Sequence, residues 1–537
     1  MKKHPSQSSG GLGRRDIFRA AGGAAAGGLL GWFPASAVAA PENPLPVAYT
    51  KFGGEPFINC TATVTINGGS RLLPEVIEAI EQASHFHVNL DQLMEAAGKH
   101  ISGLLKVDWG MVTSGAAAAL SHAAAGVVAG TDPELMQQLP NLAGMKDEVI
   151  IPRESRNQYD HAVRGVGLKT VEVDSIQEFR EAVNGRTALV MILGNRFDDV
   201  RVSLKAVAPI AKQAGIPILV DAAADYLIVP NPYIAEGADL VAYSGGKILR
   251  GPQSAGLLVG REDLVRAAFA NSAPHHAFGR PMKVGKEEIA GMVTAVEVWV
   301  RNRDLKAEYQ EWENWYAYIG KEITKVDGVS TEVRPPSRGG PFPTLWVDWD
   351  PAKIGMTAGE LHDILLGSKP SIQTHASGEG HGFILRPVAM KPNEYKLVSE
   401  QLYSIFRKAP KGGSKSQPAA AVGSLSGRWD VDVRFARGQA NHRLFLEARG
   451  NDIVGTHIGS RVQGEIKGKI DGNKLTFASV LQYEGSRLGY NFSGTVSGDR
   501  IEGEIDLGEY PAAKFTAVRH GYGGRQPRDP SKSGAKA

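Results

Sequence analysis

The chain has 537 residues, of which 42% are hydrophobic and 22% are charged. This composition is typical of globular proteins and excludes wholesale disorder, collagen and coiled-coil architectures. The single cysteine, Cys60, excludes an internal disulfide framework and a multi-cysteine metal site, and no metal site is predicted. The formal net charge of +3 indicates no global attraction to nucleic acid or to membranes.

Residues 1–39 have the pattern of a secretory signal peptide. A polar, basic start precedes a short Ala/Gly-rich apolar run and an A-x-A cleavage pattern. The apolar run is too short to span a membrane, so no stable membrane span is expected. Arg14-Arg15 before an Ile-Phe pair resembles the twin-arginine export signal, and a general secretory signal is the alternative. We therefore expect twin-arginine export to the periplasm, with a mature chain that starts near Ala40.

Residues 41–405 alternate helical patterns with short apolar runs. The runs that predict buried strands are Val149–Pro152, Thr170–Val173, Ala188–Leu193, Ile216–Val220, Leu240–Tyr243 and Ala255–Val259. The predicted helices include Pro74–Ser84, Leu90–Leu105, Ala116–Ala129 and Leu204–Gln213. Such alternation predicts an α/β fold, a mostly parallel sheet with helices on both faces, in a large lobe at residues 41–285.

A smaller α+β lobe is predicted at residues 286–408. It includes one aromatic-rich helix over Val298–Tyr318 and strands at Leu345–Val347 and Phe383–Leu385. Residues 409–424 follow as a predicted linker, because Pro, Gly, Ser and Lys cannot bury enough apolar surface to order themselves.

Beyond the linker the hydrophobic period changes to two. Residues 425–520 alternate polar and apolar side chains between recurring turn sequences. This pattern predicts a separate small antiparallel β domain, either a sheet or a barrel, appended for binding or assembly. Residues 521–537 are Gly/Pro/Ser-rich and basic, which predicts a disordered tail.

A lysine in a Ser/Gly-rich loop is the strongest chemical signal. The strand that ends at Tyr243 leads into Ser244-Gly245-Gly246-Lys247 and then a Gly-Pro turn. Glycines let a backbone approach a ligand closely. A lysine just past a strand end can form a Schiff base with an aldehyde cofactor. A surface lysine in a flexible turn is the alternative.

Further motifs fit the same chemistry. Asp221 ends a predicted strand, where a carboxylate can pair with a protonated pyridine nitrogen, or else cap a following helix. Ser114-Gly115-Ala116 opens an Ala-rich helix, whose first N–H groups can bind phosphate; a capped helix without a ligand is the alternative. A polar stretch from Arg156 to His161 supplies groups to the same sheet edge or forms a structural loop.

The order of phosphate turn, carboxylate and lysine resembles the fold-type I pyridoxal-phosphate enzymes. The resemblance is closer to one branch, the bacterial selenocysteine synthases and their relatives of the D-glucosaminate-6-phosphate ammonia-lyase type. The resembling stretches are residues 58–63, 68–70, 112–117, 159–164, 221–224, 244–253 and 279–288. This family implies a large lobe with a mostly parallel sheet, a smaller C-terminal lobe, and pyridoxal 5'-phosphate as the cofactor.

The resemblance also implies a role for each site residue. Lys247 is implied to be the Schiff-base lysine and the acid/base, and Asp221 to pair with the pyridinium nitrogen. The implied cofactor-binding residues are Ser114, Gly115, Ala116, Asp221, Ser244 and Lys247. The candidate substrate-binding residues are Arg156, Tyr159, Arg280 and Lys283. A homodimer or larger homo-oligomer is implied, because sites in this family form at a subunit interface.

Two departures from the family pattern affect the substrate side. Relatives often carry histidine where Ser155 stands, so the residue that stacks on the cofactor ring is not identified. Many relatives bind the substrate carboxylate with an arginine in the small lobe, whereas the matching residues Pro370–His375 contain none. Arg386 lies nearby in the sequence and is left unassigned.

Together these patterns predict an exported pyridoxal-phosphate enzyme acting on an amino acid or amino-sugar acid, by elimination of the ammonia-lyase type. Transamination or retro-aldol cleavage uses the same site, as does selenium transfer to L-seryl-tRNA(Sec), and a non-catalytic binding protein is the remaining alternative. Residues 1–39 hold five basic residues against one acidic, and the tail holds four against one. The body between them is therefore mildly acidic, and no nucleic-acid partner is expected.

Overall fold

The computed structural model describes residues 47–194, 200–336, 340–376, 380–411, 419–421 and 424–521. The predicted signal peptide, most of the predicted linker and the tail beyond residue 521 lie outside these ranges. Within the described ranges, no helix is both long enough and apolar enough to cross a membrane.

A seven-stranded sheet forms the core of the large lobe. Its strands, in spatial order, are Trp109–Thr113, Gly256–Gly260, Leu240–Ser244, Ile218–Asp221, Thr187–Leu193, Glu148–Pro152 and Lys169–Val173. Neighbouring strands pair in parallel, except that Gly256–Gly260 is antiparallel to both of its neighbours. The predicted mostly parallel sheet is thus confirmed. The edge strand Trp109–Thr113 was not predicted.

Helices cover the sheet and end where the sequence provides signals. In the large lobe they are Val47–Lys51, Pro74–Ser84, Leu90–Leu105, Ala116–Ala129, Pro133–Gln138, His161–Arg164, Ile176–Ala182, Leu204–Ala214, Pro232–Ala235, Glu262–Ala270 and most of Lys286–Arg301. Short 3₁₀ turns occur at Thr65–Asn67, Arg153–Ser155 and Gln158–Asp160. The helix Ala116–Ala129 is the most buried of the long helices, because its small side chains allow close packing against the sheet.

The small lobe contains an antiparallel sheet and three further helices. Its strands, in spatial order, are Gly382–Leu385, Thr344–Trp349 and Val329–Arg334. Its helices are Leu305–Ile323, Ala358–Leu366 and Glu394–Lys408. A separate parallel pair, Phe57–Asn59 with Ser371–Gln373, joins the start of the described chain to this lobe.

The single helix predicted over Val298–Tyr318 is wrong. One helix ends at Arg301, and a second begins at Leu305. Asp304 separates them, because its side chain accepts a hydrogen bond from the Ala307 N–H at 3.0 Å and so starts a new helix.

The C-terminal region is a closed eight-stranded antiparallel barrel. Its strands are Gly427–Arg434, Gln439–Arg449, Asp452–Ile458, Gln463–Asp471, Lys474–Tyr483, Ser486–Ser497, Arg500–Leu507 and Tyr510–Arg519. Alternate side chains such as Trp429, Val431 and Val433 fill the interior, as the period of two requires. Of the two predicted forms, sheet or barrel, the barrel is correct; closure leaves no unpaired strand edge.

Candidate active site

The predicted site residues meet at one edge of the large sheet. Asp221 and Ser244 are the last residues of adjacent parallel strands, and Thr113 and Pro152 end two others that run in the same direction. The carboxyl ends of parallel strands share one edge, where open α/β sheets bind ligands. The sheet topology therefore assembles motifs that are separated by more than a hundred residues in the chain.

Lys247 lies in a tight loop that backbone hydrogen bonds close. The Gly245 N–H donates to the Ala255 carbonyl at 2.9 Å, and the Arg250 N–H donates to the Lys247 carbonyl at 3.0 Å. A Cβ at Gly246 would lie 2.5 Å from the Cα of Gln253, so only glycine permits this packing. The loop is rigid and packed, which does not fit the alternative of a surface lysine in a flexible turn.

Burial and the nearby carboxylates shift the pKa of the Lys247 amine in opposite directions. Desolvation lowers its pKa, while the carboxylates of Asp221 and Asp225 act in the opposite direction. A lowered pKa increases the fraction of neutral amine, which is the nucleophilic and proton-accepting form.

Asp221 is a buried carboxyl group that is coupled to Lys247. Desolvation raises its pKa, and the N–H of Ala223, 3.2 Å from Oδ1, and the charge of Lys247 oppose that rise. The residues after Asp221 form a turn rather than a helix, so the helix-cap alternative is wrong. A buried acid at this position can pair with a cationic ring nitrogen.

The turn at Ser114–Ala116 has the geometry of an anion site. Gly115 precedes the helix with φ 86°, a conformation that favours glycine, and the Thr113 hydroxyl donates to the Gly115 carbonyl at 2.9 Å. The first N–H groups of a helix have no partners within it, and this helix begins at Ala116, just after the strand that ends at Thr113. Ser114 is partly buried beside them, as is Ser244 beside Lys247.

A second wall packs against the Lys247 loop. The Ser70 N–H donates to the Gly246 carbonyl at 3.0 Å, and the Gln253 amide donates to the Thr65 carbonyl at 3.0 Å. Ser70 is buried, and its hydroxyl has no hydrogen-bond partner in the part of the chain that the structure describes. Ser70 was not predicted as a site residue, although Gly68-Gly69-Ser70 was among the resembling stretches.

Of the polar stretch, the structure brings Tyr159 to the site. Its ring centroid lies 5.9 Å from Lys247 Nζ, and 43% of the residue is exposed. Arg156, in contrast, is 6% exposed and forms ion pairs with three carboxylates, those of Asp160, Glu172 and Glu484. These contacts assign its guanidinium to holding the structure together, unlike the substrate role predicted for it.

The remaining candidates lie further along the chain. Arg280 and Lys283 are exposed on the loop before the helix Lys286–Arg301. Arg386, which was left unassigned, is partly buried beside Thr61, with its N–H bonded to the Cys60 carbonyl at 3.0 Å. Its Nη1 is buried and has no hydrogen-bond partner among the described residues, and desolvation lowers its pKa. A buried guanidinium nitrogen without a partner is typical of an anion-binding group.

Comparisons with known proteins agree with this arrangement. Residues 74–280 match the aminotransferase class-V family. The chain is 31% identical over 337 residues to 5'-C-glycyluridine monooxygenase-decarboxylase from a Streptomyces species, covering 60% of this chain and 83% of that protein. It is 26% identical over 376 residues to D-glucosaminate-6-phosphate ammonia lyase from Salmonella typhimurium, covering 68% and 99%. A solved structure of D-glucosaminate-6-phosphate ammonia-lyase matches with a TM-score of 0.61 at 26% identity, covering 68% of this chain and 100% of that one.

Proposed function

Because the chain belongs to the aminotransferase class-V family of pyridoxal-phosphate-dependent enzymes, we propose that it catalyses an elimination on an amino acid or amino-sugar acid. The observation that carries the proposal is the partly buried Lys247 amine, with its lowered pKa, beside the buried carboxyl of Asp221. The similarity to D-glucosaminate-6-phosphate ammonia lyase, over 99% of that protein, supports the ammonia-lyase type of reaction.

The residues at the sheet edge fit pyridoxal phosphate. The helix N-terminus at Gly115 and Ala116, with the hydroxyls of Ser114 and Ser244, would hold the phosphate group. Asp221 would pair with the ring nitrogen, which compensates the cost of keeping a buried carboxylate charged. When bound, this cofactor supplies an aldehyde that condenses with amines and a ring that takes up electrons from Cα.

Lys247 is the residue that we assign to proton transfer, because its lowered pKa increases the fraction of neutral amine. Its Nζ in the neutral form accepts the proton of the substrate Cα, and the resulting ammonium can return a proton to the leaving group. Asp221 and Asp225 stabilise that ammonium electrostatically. The Tyr159 ring, with its centroid 5.9 Å from Nζ, is close enough to form one wall of the proposed site.

Arg386 is the residue that best fits the substrate carboxylate. Its unsatisfied Nη1 provides a donor with no competing partner in the described ranges, and an arginine binds a carboxylate through paired hydrogen bonds. His375 contacts the same segment, with Nε2 3.2 Å from the Thr61 carbonyl oxygen. We expect substrates with a free carboxylate, including phosphorylated amino-sugar acids.

A substrate panel tests this proposal. Purified enzyme is incubated with amino acids and amino-sugar acids, and the release of ammonia and of oxo acid is measured. We expect Lys247→Ala to lose turnover and the visible absorbance of bound cofactor, while the matched surface control Lys325→Ala retains both. A wild-type protein that binds no pyridoxal phosphate would refute the assignment of the site.

A second candidate is oxidative decarboxylation of an amino acid. The 31% identity to 5'-C-glycyluridine monooxygenase-decarboxylase favours it, because that protein removes a carboxyl group and its name specifies oxygen chemistry. Molecular oxygen would be consumed and carbon dioxide released. Oxygen uptake without release of ammonia, measured on the same substrate panel, would select this reaction over elimination.

We also propose export by the twin-arginine pathway, and assembly as a homodimer or larger homo-oligomer. Export is supported by Arg14-Arg15 within the signal-like segment. Replacing both by lysine should retain the protein in the cytoplasm, whereas the control Arg19→Lys should not. Equal periplasmic recovery of both variants would contradict the proposal.

Light scattering of the mature protein tests the proposed assembly, and a monomer with full activity would exclude an interfacial site. The acidic body and the export signal disfavour a tRNA substrate.

A further inference from the structure

A hairpin turn of the barrel contacts the large lobe. Glu484 and Gly485 connect two barrel strands and lie on the loop Arg156–Asp160, which carries Tyr159. A Cβ added at Gly485 would lie 2.5 Å from the Asp160 Oδ2 and from the Asn157 carbonyl carbon, and nearer still to the Asn157 oxygen. The backbone of the turn therefore rests directly on the backbone of the loop, and only glycine fits there.

The contact is also electrostatic. Arg156 Nη2 donates to Glu484 Oε2 at 2.6 Å, and its Nε donates to Asp160 Oδ2 at 2.5 Å. A third carboxylate, that of Glu172 in the large sheet, binds the same guanidinium. One buried arginine thus joins the loop, the sheet and the barrel. Removing one carboxylate would leave part of a buried charge uncompensated.

Two of the loop residues that touch the hairpin, Asn157 and Asp160, flank Tyr159. Asn157 precedes it by two positions and also accepts the Tyr159 N–H at 2.7 Å through its side chain. Asp160 follows it directly and is fully buried, held by Arg156 and by Arg164 at 3.0 Å. The position of the Tyr159 ring near Lys247 therefore depends on a loop segment that contacts the Glu484–Gly485 turn of the barrel.

We propose that the barrel positions the active site from within the same chain: its Glu484–Gly485 turn fixes the Tyr159 loop over Lys247. This inference rests on the proposed site at Lys247 but not on the identity of the reaction. Glu484 is a positioning residue, since it acts through Arg156. The linker keeps the barrel close to the loop, so a small contact is sufficient to hold it there.

Two nearby glycines, Gly485 in the turn and Gly489 in the strand that follows it, provide a matched test in the full-length protein. Gly485→Ala introduces a methyl group against the loop, whereas a Cβ at Gly489 meets nothing within 4 Å. We expect Gly485→Ala to lower kcat/KM roughly tenfold or more and to alter the visible circular dichroism of bound cofactor, because misplacement of positioning groups by about 1 Å has effects of this order. Gly489→Ala should change kcat/KM less than about twofold, as for a surface site.

Glu484→Gln provides a second, milder perturbation, with Glu502→Gln as its control, because Glu502 pairs with Arg500 within the barrel. We expect Glu484→Gln alone to change the cofactor signal and to increase the distance between barrel and large lobe in small-angle scattering. Unchanged kcat/KM and cofactor signal in both Gly485→Ala and Glu484→Gln would overturn the proposal. Equal losses in the controls would also overturn it, since they would indicate general barrel destabilisation. Cofactor binding and scattering remain measurable even if the proposed elimination is wrong.

Discussion

Gly256→Ala is predicted to weaken cofactor binding by pushing on the phosphate turn, although Gly256 itself is not assigned to the cofactor. Gly256 starts the antiparallel strand and packs against the phosphate turn. A Cβ there would lie 2.7 Å from the Ala116 nitrogen and closer still to the Gly115 carbonyl carbon. Ordinary contact begins near 3.4 Å, so the turn must move by at least about 0.7 Å. That shift moves the N–H groups that would bind phosphate.

The size of the effect follows from two general magnitudes. Overpacking a dense interior costs about 1–3 kcal/mol. If the strain falls on the bound state, the dissociation constant for pyridoxal phosphate rises about fivefold to a hundredfold, since about 1.4 kcal/mol corresponds to a factor of ten. If the strain is equal in the cofactor-bound protein and in the apoprotein, the affinity does not change and the apoprotein loses stability instead. Measuring both quantities separates the two cases.

The assay is an equilibrium titration of apoprotein with pyridoxal phosphate, followed by visible absorbance, together with urea unfolding of the apoprotein. Gly103→Ala is the control, because it lies in the helix Leu90–Leu105 and its Cβ meets nothing within 4 Å. We expect the control to bind cofactor normally and to gain up to about 1 kcal/mol of helix stability. Wild-type affinity in Gly256→Ala would refute the role assigned to the turn.

Three further predictions concern titrating and charged groups. Burial raises the pKa of Asp221. The apoprotein should therefore lose stability as the pH rises from the ordinary pKa of this carboxyl group to its raised pKa. In urea unfolding, Asp221→Asn should remove that loss, and it should also weaken cofactor binding. Burial lowers the pKa of His457 to about 3, so barrel stability should be full above about pH 6.5 and fall below it; unfolding of His457→Gln should depend less on pH. Arg386→Gln should raise KM about tenfold or more for carboxylate substrates in steady-state kinetics, with cofactor absorbance unchanged.

Helix bounds could be predicted closely where the chain carries explicit end signals. Pro74 occupies the first turn of one helix, Asn89 caps the next, and Gly115 and Gly130 flank a third. Strand direction could not be predicted in the same way. The apolar run at Gly256–Gly260 is compatible with either direction, because a strand buried on both faces shows no alternation, and only pairing with both neighbours fixes it as antiparallel.

The residues of the candidate site also fall into two groups, those that local sequence predicts and those that only the folded structure reveals. That Asp221 and Lys247 lie near each other could be predicted, because one ends a strand and the other follows the end of the neighbouring parallel strand. Arg156 was predicted as a substrate ligand because its sequence neighbours are polar. Two of its three carboxylate partners, Glu172 and Glu484, lie 16 and 328 residues away, and no local pattern indicates such pairs. Ser70 and Arg386 were not assigned for the same reason, since only burial reveals their unsatisfied groups.

The residues proposed for the cofactor and those proposed for the substrate lie on different parts of the fold, which indicates where substrate choice arises. In the large lobe, the phosphate turn, Asp221 and Lys247 are all assigned to the cofactor, so they distinguish poorly between substrates. The groups that we propose for substrate come from elsewhere: Arg386 from the small lobe, and Tyr159 from a loop that the barrel contacts. Relatives that share the fold have names that specify different reactions, an ammonia lyase and a monooxygenase-decarboxylase. We infer that changes at Arg386 and in the Tyr159 loop should alter substrate preference more than cofactor affinity, and changes at the strand ends the reverse.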